Sequence, residues 1–201
     1  FKLINMLADA GCKKITFAGG EPTLCPWLSD LIAHAKEVGL KTMIVTNGSR
    51  LNDEFLATNK GNLNWIAVSI DSINTNTNNY IGRCSSKLNS KGEEEYLTLI
   101  NKIKSFGYRL KINTVVSSVN YEENIASFIN AAKPERWKIL QTLPVIGQND
   151  SKVDQFLITP GQFQHYLDLN ANLLPGIERV PESCDAITGS YLMVDPLGRL
   201  F

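Results

Sequence analysis

The sequence has no excess charge of either sign and no long apolar run. Its 20 lysines and arginines balance its 20 aspartates and glutamates, so no general field would attract nucleic acid or an acidic membrane surface. No apolar stretch approaches the ~20 residues that a membrane-spanning helix needs, and no signal-peptide pattern is present. These absences predict a cytoplasmic protein without a nucleic-acid partner or membrane segment, in which any anion site is a local cluster of cations.

Cysteine is scarce, and an initiating methionine is missing. No two of the four cysteines have CxxC or another metal-ligand spacing: Cys12, Cys25, Cys84 and Cys184. The spacing predicts four unrelated thiols and no metal site in this chain. The chain opens inside a helical pattern at Phe1, so we expect that a natural N-terminal segment precedes it.

Short β-rich runs alternate with helical patterns along the 201 residues. Strands are expected at 14–17, 41–46, 65–70, 109–116 and 137–141, and a final strand at "SYLMV". Helices are expected at 27–38, 53–59, 93–106, 121–132 and 159–169, with Asn120 capping the fourth. A long polar loop is expected at 72–92, and another loop at "VPESC". Repeated βα units predict a parallel sheet with right-handed crossovers in a single domain.

Alternation along the strands separates apolar from cationic side chains. Alternate strand residues face opposite ways, and the apolar set must face the covering helices. That set includes Ile15 and Phe17 in "KITFA", and Trp137 and Ile139 in "RWKILQ". The opposite face is then predicted to carry one polar and cationic set: Lys14, Ser69, Lys111, Asn113, Arg136 and Lys138.

Cations on that face need a counter-charge. An unpaired charge in a low-dielectric interior costs several kcal/mol, and the pattern shows few carboxylates facing the same way. Cations that recur on three strands therefore predict a bound polyanion, and a nucleoside triphosphate fits the charge. The alternative is an open sheet in which the same cations are solvated.

The stretch "AGGEP" follows the first predicted strand. Its two glycines allow a ligand to approach the backbone closely, and Glu21 can accept a hydrogen bond from an ammonium group. The carboxyl ends of parallel strands are where barrel enzymes place their chemistry. "VTNGS" and "SIDS" follow the next two strands. The stretch predicts a ligand-binding turn, although the same residues also suit a tight βα turn alone.

With these motifs in place, the sequence resembles the radical S-adenosylmethionine (SAM) superfamily, and more closely its viperin family. "KKITFAGGEP", "VTNGS" and "IAVSIDS" indicate only the superfamily, whereas "KIN" and "RWK", followed by "PES" and "SYL", indicate the viperin family. The resemblance implies a partial (βα)6 TIM-like barrel of parallel strands that binds a [4Fe-4S] cluster and SAM. It also implies dehydration of CTP, UTP or GTP to the 3′-deoxy-3′,4′-didehydro form, in antiviral defence.

The resemblance implies roles for particular residues. SAM would be bound by Gly19, Gly20, Glu21, Asn47, Ser69 and Arg83. The triphosphate would be bound by Lys14, Lys111, Arg136 and Lys138, with Asn113 beside the nucleotide sugar. Tyr191 would lie near the ribose, where its phenol is a candidate catalytic donor, unless it is an ordinary packing residue. An electron donor of the flavodoxin or ferredoxin type is implied as a partner.

The sequence departs from the family pattern at three points. The CxxxCxxC motif is absent, so the cluster cysteines are expected upstream of Phe1. Cys184 follows "PES" where vertebrate viperin has Asn, and Ala18 stands where it has Ser, which leaves the base preference open. We expect a single radical SAM core domain over 1–201 that lacks its N-terminal βα unit and C-terminal extension.

Two other functions fit the same residues. The first is another radical SAM enzyme, peptide-modifying or activating, whose cations bind an acidic partner. The second is a non-catalytic nucleotide-binding module without a cluster. A CxxxCxxC motif in the segment before Phe1 would favour an enzyme, and its absence would favour the binding module.

Overall fold

The computed structural model describes residues 1–84, 90–144, 152–187, 191–195 and 197–200. Its strands are β1 (Lys14–Phe17), β2 (Lys41–Thr46), β3 (Trp65–Ser69), β4 (Arg109–Val116), β5 (Arg136–Gln141) and β6 (Glu178–Glu182). They lie in one sheet in chain order, with parallel pairing that sets Lys14 opposite Lys41 and Arg136 opposite Glu178. The predicted parallel α/β fold class is confirmed.

Helices connect the strands. They are α1 (Lys2–Asp9), α2 (Leu28–Glu37), α3 (Asp53–Thr58), α4 (Thr75–Tyr80), α5 (Glu93–Ser105), α6 (Ala126–Ala132), α7 (Pro160–Leu169) and α8 (Cys184–Ile187). The start of α7 is fixed by a capping box between Thr159 and Gln162, with Pro160 in the first turn, as the sequence predicts. Within the described ranges, no helix combines the length and the apolar character needed to cross a membrane.

The residues divide into two compact units, here called the first and second unit. The first unit comprises Phe1–Ser69 and Thr98–Ile112. In one part of its core, Ile15 and Phe17 of β1 pack against a buried cluster that α1 and α2 contribute to: Ile4, Ala35 and Leu40. The helix-facing direction predicted for these two β1 residues is therefore confirmed.

The second unit comprises Ile70–Leu97 and Asn113–Phe201. Trp137 of β5 is fully buried, packs edge-on against Tyr166 of α7 with ring centroids 6.4 Å apart, and donates from Nε1 to Thr114 Oγ1 at 2.9 Å. Because alternate strand residues face opposite ways, Lys138 faces away from α7. The predicted direction of β5 is therefore confirmed as well. The prediction of a single domain stays a prediction.

Two predictions near the end of the chain are wrong. The "VPESC" segment, predicted as a loop, contains most of β6, which is the last strand of the sheet order. Pro181 obscured it in the sequence, yet an edge strand tolerates a proline because one side of its backbone needs no partner. The predicted "SYLMV" strand is not formed over Tyr191–Met193, and Val194 makes only an isolated antiparallel bridge to Leu200.

One helix prediction and one loop prediction also need correction. The fourth predicted helix begins at Ala126 instead of Tyr121, and the Asn120 side chain does not cap it. Asn120 instead accepts from the Ser117 backbone N–H and donates to the carbonyl oxygens of Asp71 and Val115. The predicted polar loop at 72–92 contains α4, whose N-cap is Asn74; its residues 85–89 lie outside the described residues.

Candidate functional site

The Glu21 carboxylate joins the ends of β1 and β2 in the first unit. Oε1 accepts from the Thr23 backbone N–H at 3.1 Å, from the Thr23 hydroxyl at 2.6 Å and from the Thr46 hydroxyl at 2.7 Å. Oε2 accepts from the Asn47 backbone N–H at 2.8 Å. Burial alone would raise the pKa of Glu21, but these hydrogen bonds outweigh it, so its pKa lies below the ordinary value. Glu21 is therefore an anion that fixes the turn after β1.

Gly19 and Gly20 precede this carboxylate and are exposed. Gly19 has φ +134°, which favours glycine, and beyond the adjacent residues no described atom lies within 4 Å of where a Cβ would stand at either glycine. A ligand can therefore approach the backbone beside the Glu21 anion. The open backbone and the fixed anion fit the cationic end of SAM, its ammonium and sulfonium groups.

The other predicted SAM residues lie at three separate positions. Asn47 follows β2, where its Oδ1 accepts from the Ser49 backbone N–H at 2.8 Å, and Ser69 is the last residue of β3. Arg83 belongs to the second unit, where its Nε donates to Asp71 Oδ2 at 2.5 Å. Of the residues predicted to bind SAM, the structure thus brings Glu21 into contact with the Asn47 backbone. Arg83 is instead bound to the Asp71 carboxylate.

Substituting Glu21 with glutamine is expected to change the pH dependence of stability. A carboxyl whose folded-state pKa is lowered adds stability above its unfolded-state pKa, and this contribution is lost as the pH falls through the folded-state pKa. Wild type should therefore lose more unfolding free energy than Glu21→Gln as the pH falls below the ordinary value of 4.5. Urea unfolding of both proteins, at neutral pH and at pH values below 4.5, measures the change in unfolding free energy. Glu54→Gln, at an exposed carboxyl in α3, is the control, and an identical pH profile for both variants would contradict the role given to Glu21.

Two cations of β5 are ion-paired with carboxylates of β6. Arg136 donates to Glu178 from Nε at 2.9 Å and from Nη2 at 2.7 Å, and Lys138 Nζ lies 2.6 Å from Glu182 Oε2. The inference that few carboxylates share this face is therefore wrong, because β6 was not predicted: Glu182 lies in the "VPESC" segment, which was predicted as a loop, and Glu178 lies just before it. A polyanion is not required to neutralise Arg136 and Lys138.

Tyr191 contacts the pair formed by Lys138 and Glu182. Its hydroxyl donates to the Glu182 carboxylate, with separations of 2.8 and 2.6 Å to the two oxygens, and also contacts the Lys138 ammonium. The ammonium lies 4.4 Å from the Tyr191 ring centroid. Burial and the adjacent Glu182 raise the pKa of Tyr191 far above its ordinary value. Tyr191 therefore keeps its proton at neutral pH.

Asn113 of β4 presents a buried acceptor. Its Oδ1 has no hydrogen-bond partner among the described residues. Because an unsatisfied buried polar atom costs free energy, Oδ1 is available to accept a hydrogen bond from a ligand. A ribose hydroxyl is a suitable donor.

Two predicted phosphate ligands lie in the first unit. Lys14 is exposed at the start of β1, and Lys111 is buried in β4.

Asp71 lies at the centre of a network that the sequence analysis did not assign to the site. Its Oδ2 accepts from Arg83 and its Oδ1 accepts from the Val115 backbone N–H at 2.8 Å. Its own carbonyl accepts from Asn120 at 2.7 Å. The position of Asp71 after β3, in "SIDS", was the available signal, since polar residues after strands often form sites. For Glu178 and Glu182 the available signal was their even spacing in "ERVPE", which places both side chains on the same face of a strand.

Metal ligands are not gathered in the part of the chain that the structure describes. There, no three histidine, cysteine, aspartate or glutamate side chains form a group that could hold a metal ion, and no disulfide joins the four cysteines. The Cys184 thiol donates to the Thr142 carbonyl at 3.5 Å. The described residues therefore do not fit a [4Fe-4S] cluster, and the cysteines expected upstream of Phe1 stay a prediction.

Comparison with known proteins defines the class. Residues 1–133 match the radical SAM superfamily, which uses a [4Fe-4S] cluster and SAM. The structure is similar to the crystal structure of Streptococcus suis SuiB bound to S-adenosylmethionine, with a TM-score of 0.70 over 96% of this chain and 45% of that one. Because the sequence identity is 16%, this likeness concerns the fold. The fold and the matched residues are those of a radical SAM protein.

Two relatives narrow the class. A protein of Lacinutrix mariniflava named S-adenosylmethionine-dependent nucleotide dehydratase is 54% identical over the whole chain, which spans 41% of that relative. A protein of Flammeovirga pacifica with the same name is 47% identical, and the chain spans 68% of it. The chain therefore belongs to the radical SAM superfamily and, within it, to the viperin-like S-adenosylmethionine-dependent nucleotide dehydratases.

Proposed function

We propose that the chain is the SAM- and nucleotide-binding core of a radical SAM dehydratase. Its substrate would be CTP, UTP or GTP, and its product the 3′-deoxy-3′,4′-didehydro nucleotide, a terminator of viral polymerases in antiviral defence. The names of the two relatives support this first hypothesis over a peptide-modifying enzyme or a non-catalytic binding module. An electron donor of the flavodoxin or ferredoxin type would be its partner.

In the first unit, the turn after β1 would hold SAM. The exposed backbone of Gly19 and Gly20 would contact the methionine end, beside the anionic Glu21 that Thr46 and Asn47 fix in place. Bound SAM would itself be the radical precursor. The role of this chain is to hold the methionine end of SAM in one geometry, because positioning is what the protein contributes to cofactor chemistry.

In the second unit, Asn113 of β4, the cations of β5 and Tyr191 would bind the nucleotide. The orphaned Asn113 Oδ1 is the observation that carries this assignment, because a ribose hydroxyl would satisfy it. Lys138 and Arg136 would bind phosphate oxygens. Tyr191 is the candidate catalytic residue, because its phenol carries a proton that could be donated to a ligand and it contacts Lys138, a proposed phosphate ligand.

Removing the charge of Lys138 tests the nucleotide assignment. Lys138→Met keeps the apolar stem but removes the ammonium, so it should weaken binding of the preferred triphosphate by about ten- to hundredfold, the loss of a charge-assisted hydrogen bond. SAM affinity should change little. Isothermal titration calorimetry with CTP, UTP, GTP and SAM measures both.

Lys102→Met is the matched control, because Lys102 is also ion-paired, to Asp53 at 3.0 Å, but lies on α5 in the first unit. It should leave nucleotide affinity unchanged. If none of the three triphosphates binds the wild-type chain, or if Lys138→Met binds them as tightly as Lys102→Met does, the nucleotide assignment fails.

A further inference from the structure

Glu182 forms an ion pair with Lys138, whose ammonium group is a phosphate ligand in the proposed function. Its Oε2 lies 2.6 Å from Lys138 Nζ, and the two side chains are only 17% and 10% exposed. At this separation the fields of the two opposite charges nearly cancel for a ligand several ångströms away. Because both side chains are largely buried, removing either one would leave the other as an unpaired buried charge. Lys138 can therefore attract a phosphate only if its contact with Glu182 opens.

Tyr191 can hold the lysine once this contact opens. Its hydroxyl and its ring both contact the Lys138 ammonium, and the hydroxyl also donates to Glu182. Lys138 has three N–H donors, so the hydroxyl and the ring face can keep it in place while one donor changes partner. The exchange of a carboxylate for a phosphate oxygen therefore requires Glu182 to turn away from both Lys138 and Tyr191, while Tyr191 keeps its contact with the lysine.

We propose that Glu182 competes with the nucleotide phosphate for Lys138, and so lowers the affinity of this site for phosphate-bearing nucleotides. This inference rests on the proposed function, since it takes Lys138 as a phosphate ligand. A ligand without phosphate has no anion to offer in exchange, so it leaves the pair closed. The charge of Glu182 thus lowers the affinity for every nucleotide whose phosphate must displace it and leaves the affinity for nucleosides unchanged.

The neighbouring pair supplies a matched control on the same strand. Glu178 bonds Arg136 as Glu182 bonds Lys138, but the two side chains are 58% and 41% exposed. Water and salt screen such a pair, so its carboxylate competes weakly. Glu178→Gln removes the same formal charge as Glu182→Gln, four residues away, without opening a buried contact.

Calorimetric titration of wild type, Glu182→Gln and Glu178→Gln with CTP and with cytidine tests the inference; if UTP or GTP binds wild type best, that triphosphate and its nucleoside are used. Glutamine keeps the size of the side chain and an acceptor for Tyr191. Glu182→Gln should bind the triphosphate about tenfold more tightly, and Glu178→Gln should stay within about twofold of wild type. Affinity for the nucleoside should be the same in all three proteins.

Three results would overturn the inference while the proposed function stands. They are weaker triphosphate binding by Glu182→Gln, an equal gain in Glu178→Gln, or a gain for the nucleoside as large as for the triphosphate. Failure of wild type to bind any of the three triphosphates would overturn both. Glu182→Met, an apolar side chain of similar length, is the second variant, to be used if thermal unfolding shows that Glu182→Gln is not folded.

Discussion

Replacing Asp71 with alanine is expected to lower the free energy of unfolding by about 3 to 5 kcal/mol, the cost of breaking a buried ion pair from one side. The Asp71 side chain is 8% exposed and its partner Arg83 is 30% exposed, so Arg83 would keep a charge largely removed from water. The Val115 backbone N–H would also lose its acceptor. Equilibrium urea unfolding measures the loss.

Asp71→Asn separates the two contributions, because asparagine can still accept from Val115 but carries no charge for Arg83. It should fall between wild type and Asp71→Ala. Asp53→Ala is the control, because Asp53 is paired to Lys102 at the surface, where a lost ion pair costs about 1 kcal/mol or less. Equal losses for Asp71→Ala and Asp53→Ala would contradict the importance given to the buried network.

Truncating Trp137 to alanine is expected to destabilise the second unit by about 3 to 5 kcal/mol. The indole is fully buried against Tyr166, and its loss would leave a cavity between β5 and α7. Thr114 Oγ1 would also lose the Nε1 donor. Thermal and urea unfolding, followed by far-ultraviolet circular dichroism, measure the effect.

Trp137→Phe is the matched variant, because phenylalanine keeps an aromatic ring against Tyr166 but cannot donate to Thr114. It should cost less than Trp137→Ala, since much of the buried apolar area remains. Should Trp137→Ala unfold within about 1 kcal/mol of wild type, the helix-facing direction of β5 would be wrong, because core tryptophans cost several times more. In that case Lys138 would not face away from α7.

The strands β1 to β5, and the facing directions of β1 and β5, could be predicted from sequence because both depend on local information. A strand alternates its side chains with period two whatever its neighbours are, so the apolar set in "KITFA" or "RWKILQ" identifies the covered face. The turn after β1 could be predicted for the same reason, since glycines permit backbone conformations that other residues avoid and a proline fixes its own φ. The fold class followed from the order of these elements.

The partners of the charged residues were decided by the tertiary structure. Lys138 and Glu182 are separated by 44 positions in sequence, and the parallel register of β5 with β6 alone brings them together. Glu21 could be recognised as a residue of the turn, but its acceptance of hydrogen bonds from Thr46 and Asn47 depends on the pairing of β1 with β2. Alternation gives the face on which a charge lies, whereas its neutralisation depends on which strand lies beside it, and that is a property of non-local pairing.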